Sequence, residues 1–221
     1  MRETLRASNG RIGADERSDR SVPARQANEP SRPVALRAME SVSEARQVSE
    51  RFVKPLGRRW DHVQAVADRA RELGGAVSES EQATLVGAAW LHDIGYSPEI
   101  GHTRFHPLDG ARYLKTNGWS DVVVNLVAHH SGARFEAEQR GMANQLAEFP
   151  FRDTALLDAL VTADLTVGPG GERVSFNERI SEILSRYPAS DPVHRAWLVA
   201  APVMRAAVER TQSRLDAAQP K

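Results

Sequence analysis

The chain has 221 residues, 41% hydrophobic and 26% charged, the make-up of one sizeable globular domain with or without a tail and not of a disordered, fibrous or membrane chain. Its 29 basic residues balance its 29 acidic ones, so it lacks the basic excess that holds a protein to phosphate backbones, and no nucleic-acid partner is expected. The absence of cysteine excludes disulfides, thiolate metal sites and a cysteine nucleophile, leaving His and carboxylates to hold any metal. No apolar run reaches the ~18 residues of a membrane span and no signal-type stretch opens the chain, which predicts a cytoplasmic protein without a membrane partner.

Residues 1–38 carry eight arginines and five acids among Ser, Asn, Gly and Pro, with almost no large apolar groups. They cannot bury enough surface to offset ordering entropy, which predicts a disordered Arg-rich tail. Met39 opens the first amphipathic segment and is a candidate translation start, an expectation that N-terminal mass spectrometry of the native protein checks. From there to about residue 218 the apolar residues recur at helical spacing, which predicts a single all-α domain over 39–218. Ser41 with Glu44 reads as a capping box for a helix ending near Val53, and Ser78 with Glu81 as another ahead of a helix ending at His92. Between them, Trp60, Val63, Ala67 and Ala70 mark a helix over Arg58 to Leu73, closed by Gly74 and Gly75 in left-handed conformations.

Pro107 places the start of the next helix at His106, and Asn117-Gly118 its end. Ser120 caps a helix that carries Val122, Val123, Leu126 and Val127 into His129-His130, where Ser131-Gly132 breaks it. Asp153 to Leu165 forms another helix, followed by a flexible rim at Gly168 to Gly171, then a helix over Phe176 to Tyr187. Asp191 and Pro192 open the last helix, in which Pro202 predicts a kink or break.

Six of the seven histidines fall between positions 62 and 130, beside carboxylates at predicted helix ends. At His92-Asp93 an imidazole and a carboxylate leave adjacent positions and reach one ion, and a carboxylate can also bridge two ions ~3.5–4 Å apart. Such a donor set suits Fe, Mn, Zn, Co or Ni better than Mg or Ca alone. Asp164 follows Leu160-Val161 on an apolar segment where an unpaired charge is costly, so it is read as a ligand and not as a solvated carboxylate. His102 and His194 read as surface residues. The Gly168 to Gly171 run lacks a lysine and follows no strand, so it is not a phosphate loop.

Taken in order, His62, His92-Asp93 with Ile94-Gly95, His106-Pro107 with Gly110, His129-His130, and Asp164 within Thr162-Ala163-Asp164-Leu165 resemble the HD-domain superfamily of metal-dependent phosphohydrolases, strongest over residues 45–185. The resemblance implies a helical bundle with a binuclear metal site in its core. His62, His92, Asp93 and Asp164 would hold one divalent ion, Asp93 would bridge to a second, and His106 with the His129-His130 pair would complete that second ion's ligands. Neighbours on a helix diverge by ~100°, so both histidines of the pair reach the metals only if the helix unwinds at Ser131-Gly132. His129 is favoured as the firmer ligand, with a packing role for one of the two as the plainer alternative.

The implied activity is hydrolysis of a phosphoester on a small, nucleotide-like molecule by a metal-activated water, with Asp93 fixing the metals and His130 protonating the leaving oxygen. Tyr96 stands where relatives place a residue near the substrate, and Arg59 and Arg134 are candidate guanidinium forks for its phosphate, the plainer reading being a core tyrosine and solvated arginines. Ser131-Gly132-Ala133-Arg134 replaces the Asp-Gly-x-Gly-Tyr-Pro stretch of the HD-GYP cyclic-dinucleotide phosphodiesterases, and Ile94-Gly95-Tyr96-Ser97 replaces the continuation typical of guanosine tetraphosphate hydrolases, so neither substrate is expected. Two alternatives stand beside hydrolysis: a mixed-valent di-iron oxygenase on the same fold, and a non-catalytic metal-stabilised ligand sensor.

Overall fold

The computed structural model describes residues 34–218, with side chains from residue 41 onward, and among these residues the chain is helical. Residues 1–33, most of the expected tail, lie outside the described residues. The first helix, α1 (Val34–Val53), begins ahead of Met39: Pro33 precedes a Val-Ala-Leu-Arg-Ala run of helix formers, so Ser41 falls inside the helix and caps nothing. Its buried Ala45, Ser49, Phe52 and Val53 recur at i, i+4, i+7 and i+8, one stripe laid on the third helix. Next come α2 (Arg58–Glu72) and α3 (Gln82–Leu91), the latter introduced by the expected Ser78–Glu81 capping box. Gly74 and Gly75 differ from expectation: neither is left-handed, and the chain runs on as a 3-10 turn over Leu73–Ala76 on which the C-terminal helix packs, Leu215 standing against Gly75.

After α4 (His106–Thr116) and α5 (Asp121–His129) follow α6 (Ala133–Gln139) and the single turn α7 (Ala143–Leu146), neither of which the periodicity marks out. Then come α8 (Ala155–Leu165), α9 (Phe176–Arg186) and α10 (Pro192–Ala218), which runs unbroken through Pro202. α10 continues as one helix because Ala196, Trp197, Ala200, Met204 and Ala207 are buried on both sides of the proline, so tertiary packing outweighs one lost hydrogen bond.

Two helices form the centre. Residues Leu85–Leu91 of α3 and Leu156–Leu165 of α8 are all buried. The two acids buried on α8 are paired in opposite directions. Asp158 takes Arg210 Nε (2.9 Å) and Arg214 Nη1 (2.8 Å), tying α10 to α8, while Asp164 faces the histidines. The Gly168 to Gly171 loop is held and does not hang as a rim: Val167 and Arg173 form an isolated bridge, and Gly168 N–H donates to Glu172 O at 2.8 Å. Among the described residues no helix is long and apolar enough to cross a membrane.

Candidate metal centre

Three of the candidate imidazoles are aimed by backbone carbonyls. His62, in the second turn of α2, donates from Nδ1 to Gly168 O (3.0 Å), His92, just past α3, to Ala89 O (2.7 Å), and His130 to Val127 O (2.6 Å). A carbonyl acceptor at Nδ1 fixes the ring's orientation and leaves Nε2 facing the centre. There the inward atoms fall into two groups, His62 with His92 and Asp164, and Asp93 with His106 and His130, each with one donor atom per residue within 4.8 Å of the others. Asp93 Oδ1 lies between the groups, 3.6 Å from His92 Nε2, 3.4 Å from His106 Nε2 and 3.9 Å from His130 Nε2.

His92 Nε2 is buried and has no hydrogen-bond partner among the described residues, a state that costs ~1–3 kcal/mol unless something supplies one. A divalent cation does, and the neutral imidazoles and ionised carboxylates around it are the donors such a cation takes, so the residues fit the metals that the sequence implies. The electrostatics agree. Burial pushes the Asp93 carboxyl up, yet His92, Arg59 and His106 hold it well below the usual carboxylate range. Asp164 is likewise held low against burial by the hydrogen bond from His62 and the charge of His92. Burial drives His106 well below the ordinary imidazole value and lowers His130. His62 differs: burial pulls its pKa down, but the Asp164 hydrogen bond and charge win and raise it. Cation uptake at Nε2 therefore displaces a proton from that pair.

The histidine pair resolves against the favoured residue. The helix unwinds as expected, His130 being extended and Ser131 and Gly132 both left-handed (φ 50° and 69°), but the unwinding turns only His130 inward. His129, still on α5, turns to the opposite side, where its Nε2 donates to Phe149 O (2.8 Å) and its ring lies edge-on to Phe151. It lines a separate cavity of about 560 Å³ that no member of either ligand group touches. His130→Ala is expected to lower bound metal to about one equivalent or less, and His129→Ala to leave metal content within ~20%, by elemental analysis of both variants. Equal losses would show that the pair acts as one.

The pocket over the centre has a volume of about 150 Å³ and is lined by Asp93, His106, His130 and Asp164 together with five arginines, Arg59, Arg104, Arg140, Arg179 and Arg186. Arg59 donates from Nη1 to Asp93 Oδ2 at 2.7 Å and lies 3.4 Å over the Tyr96 ring, which stacks on His106 at 3.9 Å. Tyr96 and Arg59 thus reach the site, as expected. Arg134 does not: it lies over Phe135 and Phe151 and lines a different hollow with His129 and Asp153. His102 is exposed, and His194 is half-buried against Tyr187 O (2.9 Å).

Sequence reasoning missed Ser131, whose hydroxyl donates to Asp164 Oδ2 and whose left-handed backbone is the signal of its special place, since a serine there is under strain. It also missed Glu136, whose carboxyl faces the pocket in the grip of Arg140 Nε (2.6 Å), and Arg140 just past α6 with Arg179 and Arg186 of α9, which, three or four residues from acids, read as ordinary helix-surface pairs.

Residues 59–163 match the family model of the HD domain, a span that opens on Arg59 and stops one residue short of Asp164. No match is found among curated proteins or among solved structures. With the ordered His and Asp motifs brought together in a helical core, the chain belongs to the HD-domain superfamily, whose members bind divalent metals and are mostly metal-dependent hydrolases.

Proposed function

We propose that this chain is a phosphohydrolase that cleaves a phosphoester of a small, nucleotide-like molecule. The observation that carries the reading is the joint lining of one pocket: the His/Asp donor groups form its floor and arginines its walls. Planar guanidiniums match phosphoryl oxygens in geometry and charge. His62, His92 and Asp164 would hold one ion and Asp93, His106 and His130 a second, from among Mn, Fe, Zn, Co and Ni. Divalent ions so bound lower the pKa of a coordinated water and offset charge on the phosphoryl oxygens.

The remaining work falls to the chain. Arg59 has one hydrogen bond among the described residues, to Asp93, and Tyr96 fixes its plane, so the free side of its fork is set to receive a phosphoryl oxygen. His130 is poorly placed as proton donor, because Nδ1 is given to Val127 O and Nε2 lies 3.1 Å from His106 Nε2. Glu136 is the pocket carboxyl outside both ligand groups, and burial raises its pKa against the opposing charge of Arg140, so it keeps a proton to higher pH than an ordinary glutamate. We assign it the leaving-group proton. The pocket of about 150 Å³ takes the phosphoryl end and a few further atoms, so a nucleotide would extend beyond it.

The test is turnover of p-nitrophenyl phosphate and of an alkyl phosphate by metal-loaded protein, with and without O₂. Oxygen-independent release from both is expected. Two irons with O₂ consumption and no ester cleavage would instead establish the oxygenase, and ligand-induced stabilisation without turnover the sensor. Because p-nitrophenolate leaves without a proton, Glu136→Gln is expected to slow the alkyl ester ~10²-fold and the nitrophenyl ester less than ~3-fold. Equal slowing of both would remove Glu136 from the mechanism.

A further inference from the structure

The phosphoester reading draws on all the pocket arginines for charge but gives a defined place to Arg59 alone, and leaves those of the α9 wall without one. Arg179 on that wall is only 9% exposed. Its Nη1 donates to Glu182 Oε2 at 2.6 Å, while its Nε is buried without a partner among the described residues. Arg186 closes on the same carboxylate, its Nε 2.8 Å from Glu182 Oε1 and its Nη2 2.5 Å from Oε2. One carboxylate thus holds two guanidiniums, and the wall carries a net positive charge. Arg104 lines the same pocket and has no acidic partner among the described residues.

A buried guanidinium is costly to keep when its donors are unused. The metal ligands do not supply the missing partner. Asp164 is already taken at Oδ1 by His62 and at Oδ2 by Ser131, and Asp93 at Oδ2 by Arg59. The unmet need is for an anion that arrives with the substrate. It is distinct from the phosphoryl group, which belongs over the ligand groups beside Arg59.

We propose that Arg179 and Arg186, held by Glu182, bind a second anionic group of the substrate, so that the substrate is a phosphoester that also bears a carboxylate or a second phosphate. This rests on the phosphoester reading above. The small pocket and the placing of both sets of groups on its lining demand that the two anions be joined by a short linker, as in a phosphorylated acid or a bisphosphate.

The test is calorimetric titration of the metal-loaded full chain with three probes that share one phosphoryl end: glycerol 3-phosphate, 3-phosphoglycerate and glycerol 1,3-bisphosphate. At least one of the doubly anionic probes is expected to bind ~10-fold tighter than glycerol 3-phosphate, and the one that gains identifies the second group as carboxylate or phosphate. In Arg179→Met that advantage is expected to vanish while glycerol 3-phosphate binding stays within ~2-fold, and Arg179→Lys should restore part of it. If Arg179→Met does not fold, Arg186→Gln, on a more exposed side chain, is expected to cut the advantage ~3-fold. Equal binding of all three probes to the unaltered protein overturns the proposal while leaving the phosphoester reading in place, as does a loss in Arg179→Met that is the same for every probe. Binding of none of them overturns both.

Discussion

Asp93→Ala is expected to strip the protein of bound divalent metal and to lower turnover at least ~10³-fold while leaving the helical fold intact. The carboxylate is the one group that touches both halves of the centre. Its Oδ1 is within 3.4–3.9 Å of three imidazoles, and its Oδ2 takes Arg59. Without it the centre keeps three buried histidines, the part-buried His106, Asp164 and a nearby guanidinium, so with neutral imidazoles the one remaining carboxylate is offset by Arg59 and the net negative charge that attracts cations is lost. Folding suffers less, because Arg59 is partly exposed and water can take the place of its lost partner. Asp93→Asn separates charge from shape: it keeps the side-chain volume and a hydrogen-bond acceptor for Arg59, and is still expected to lose the metal. His102→Ala, an exposed loop substitution, should change neither property. Elemental analysis, circular dichroism and the phosphoester assay on the three variants check this. Near-normal turnover by the alanine variant would overturn the assignment of the centre.

Much of this was legible in the sequence because the two signals needed are local. Apolar periodicity marks α2, α4, α5, α8, α9 and α10, and the caps at Ser78, Ser120 and Asp191 are read from one residue type at one spacing. The ligand groups were legible because each member stands at a helix end or on an apolar face, where a polar residue has few other reasons to be. What was not legible depends on direction. Both His129 and His130 fit the motif, and only the backbone turn at Ser131-Gly132 decides that His130 points in and His129 points toward Phe149. The arginine walls were hidden for a related reason. Arg140, Arg179 and Arg186 form helix pairs with Glu136 and Glu182 that look alike from sequence whether they face solvent or a pocket. Pro202 and the Gly74-Gly75 pair show the other direction: α10 continues through the proline, and α2 ends ahead of the glycines as expected but without a left-handed residue, the turn packing instead against Leu215 of α10.

Gly95→Ala is expected to be the most damaging single methyl group that can be added near the centre. Gly95 has no need of a left-handed backbone; what it supplies is closeness. The turn after His92-Asp93 crosses the start of α4 with almost no gap, and a Cβ at residue 95 would stand 2.1 Å from His106 O and 2.7 Å from Gly110 N. Both are backbone atoms of a buried helix start, so no side chain can swing away. Gly110 answers from the other strand of the crossing, where a Cβ would press on Val127, Gly95 N and Ile94 at 3.3–3.4 Å. The methyl must push α4 off the turn, and His106, its first residue, moves with it. Stability should fall by about 3 kcal/mol, the upper part of the range for overpacking. At this chain length that is a drop in Tm of roughly 6–12 °C. The same displacement separates His106 from Asp93 and His130, so the cation held by that group should be lost before the one held by His62, His92 and Asp164. The variant is therefore expected to retain about one equivalent of metal where the unaltered chain is expected to hold two. Gly118→Ala is the matched control. Its φ of +78° makes alanine unfavourable there by about 1 kcal/mol, but a Cβ meets nothing within 4 Å, so metal content should not change. Thermal denaturation with elemental analysis distinguishes the two. A Gly95→Ala protein with unaltered Tm and full metal content would mean that the crossing is looser than these distances require, and that His106 is not positioned by it.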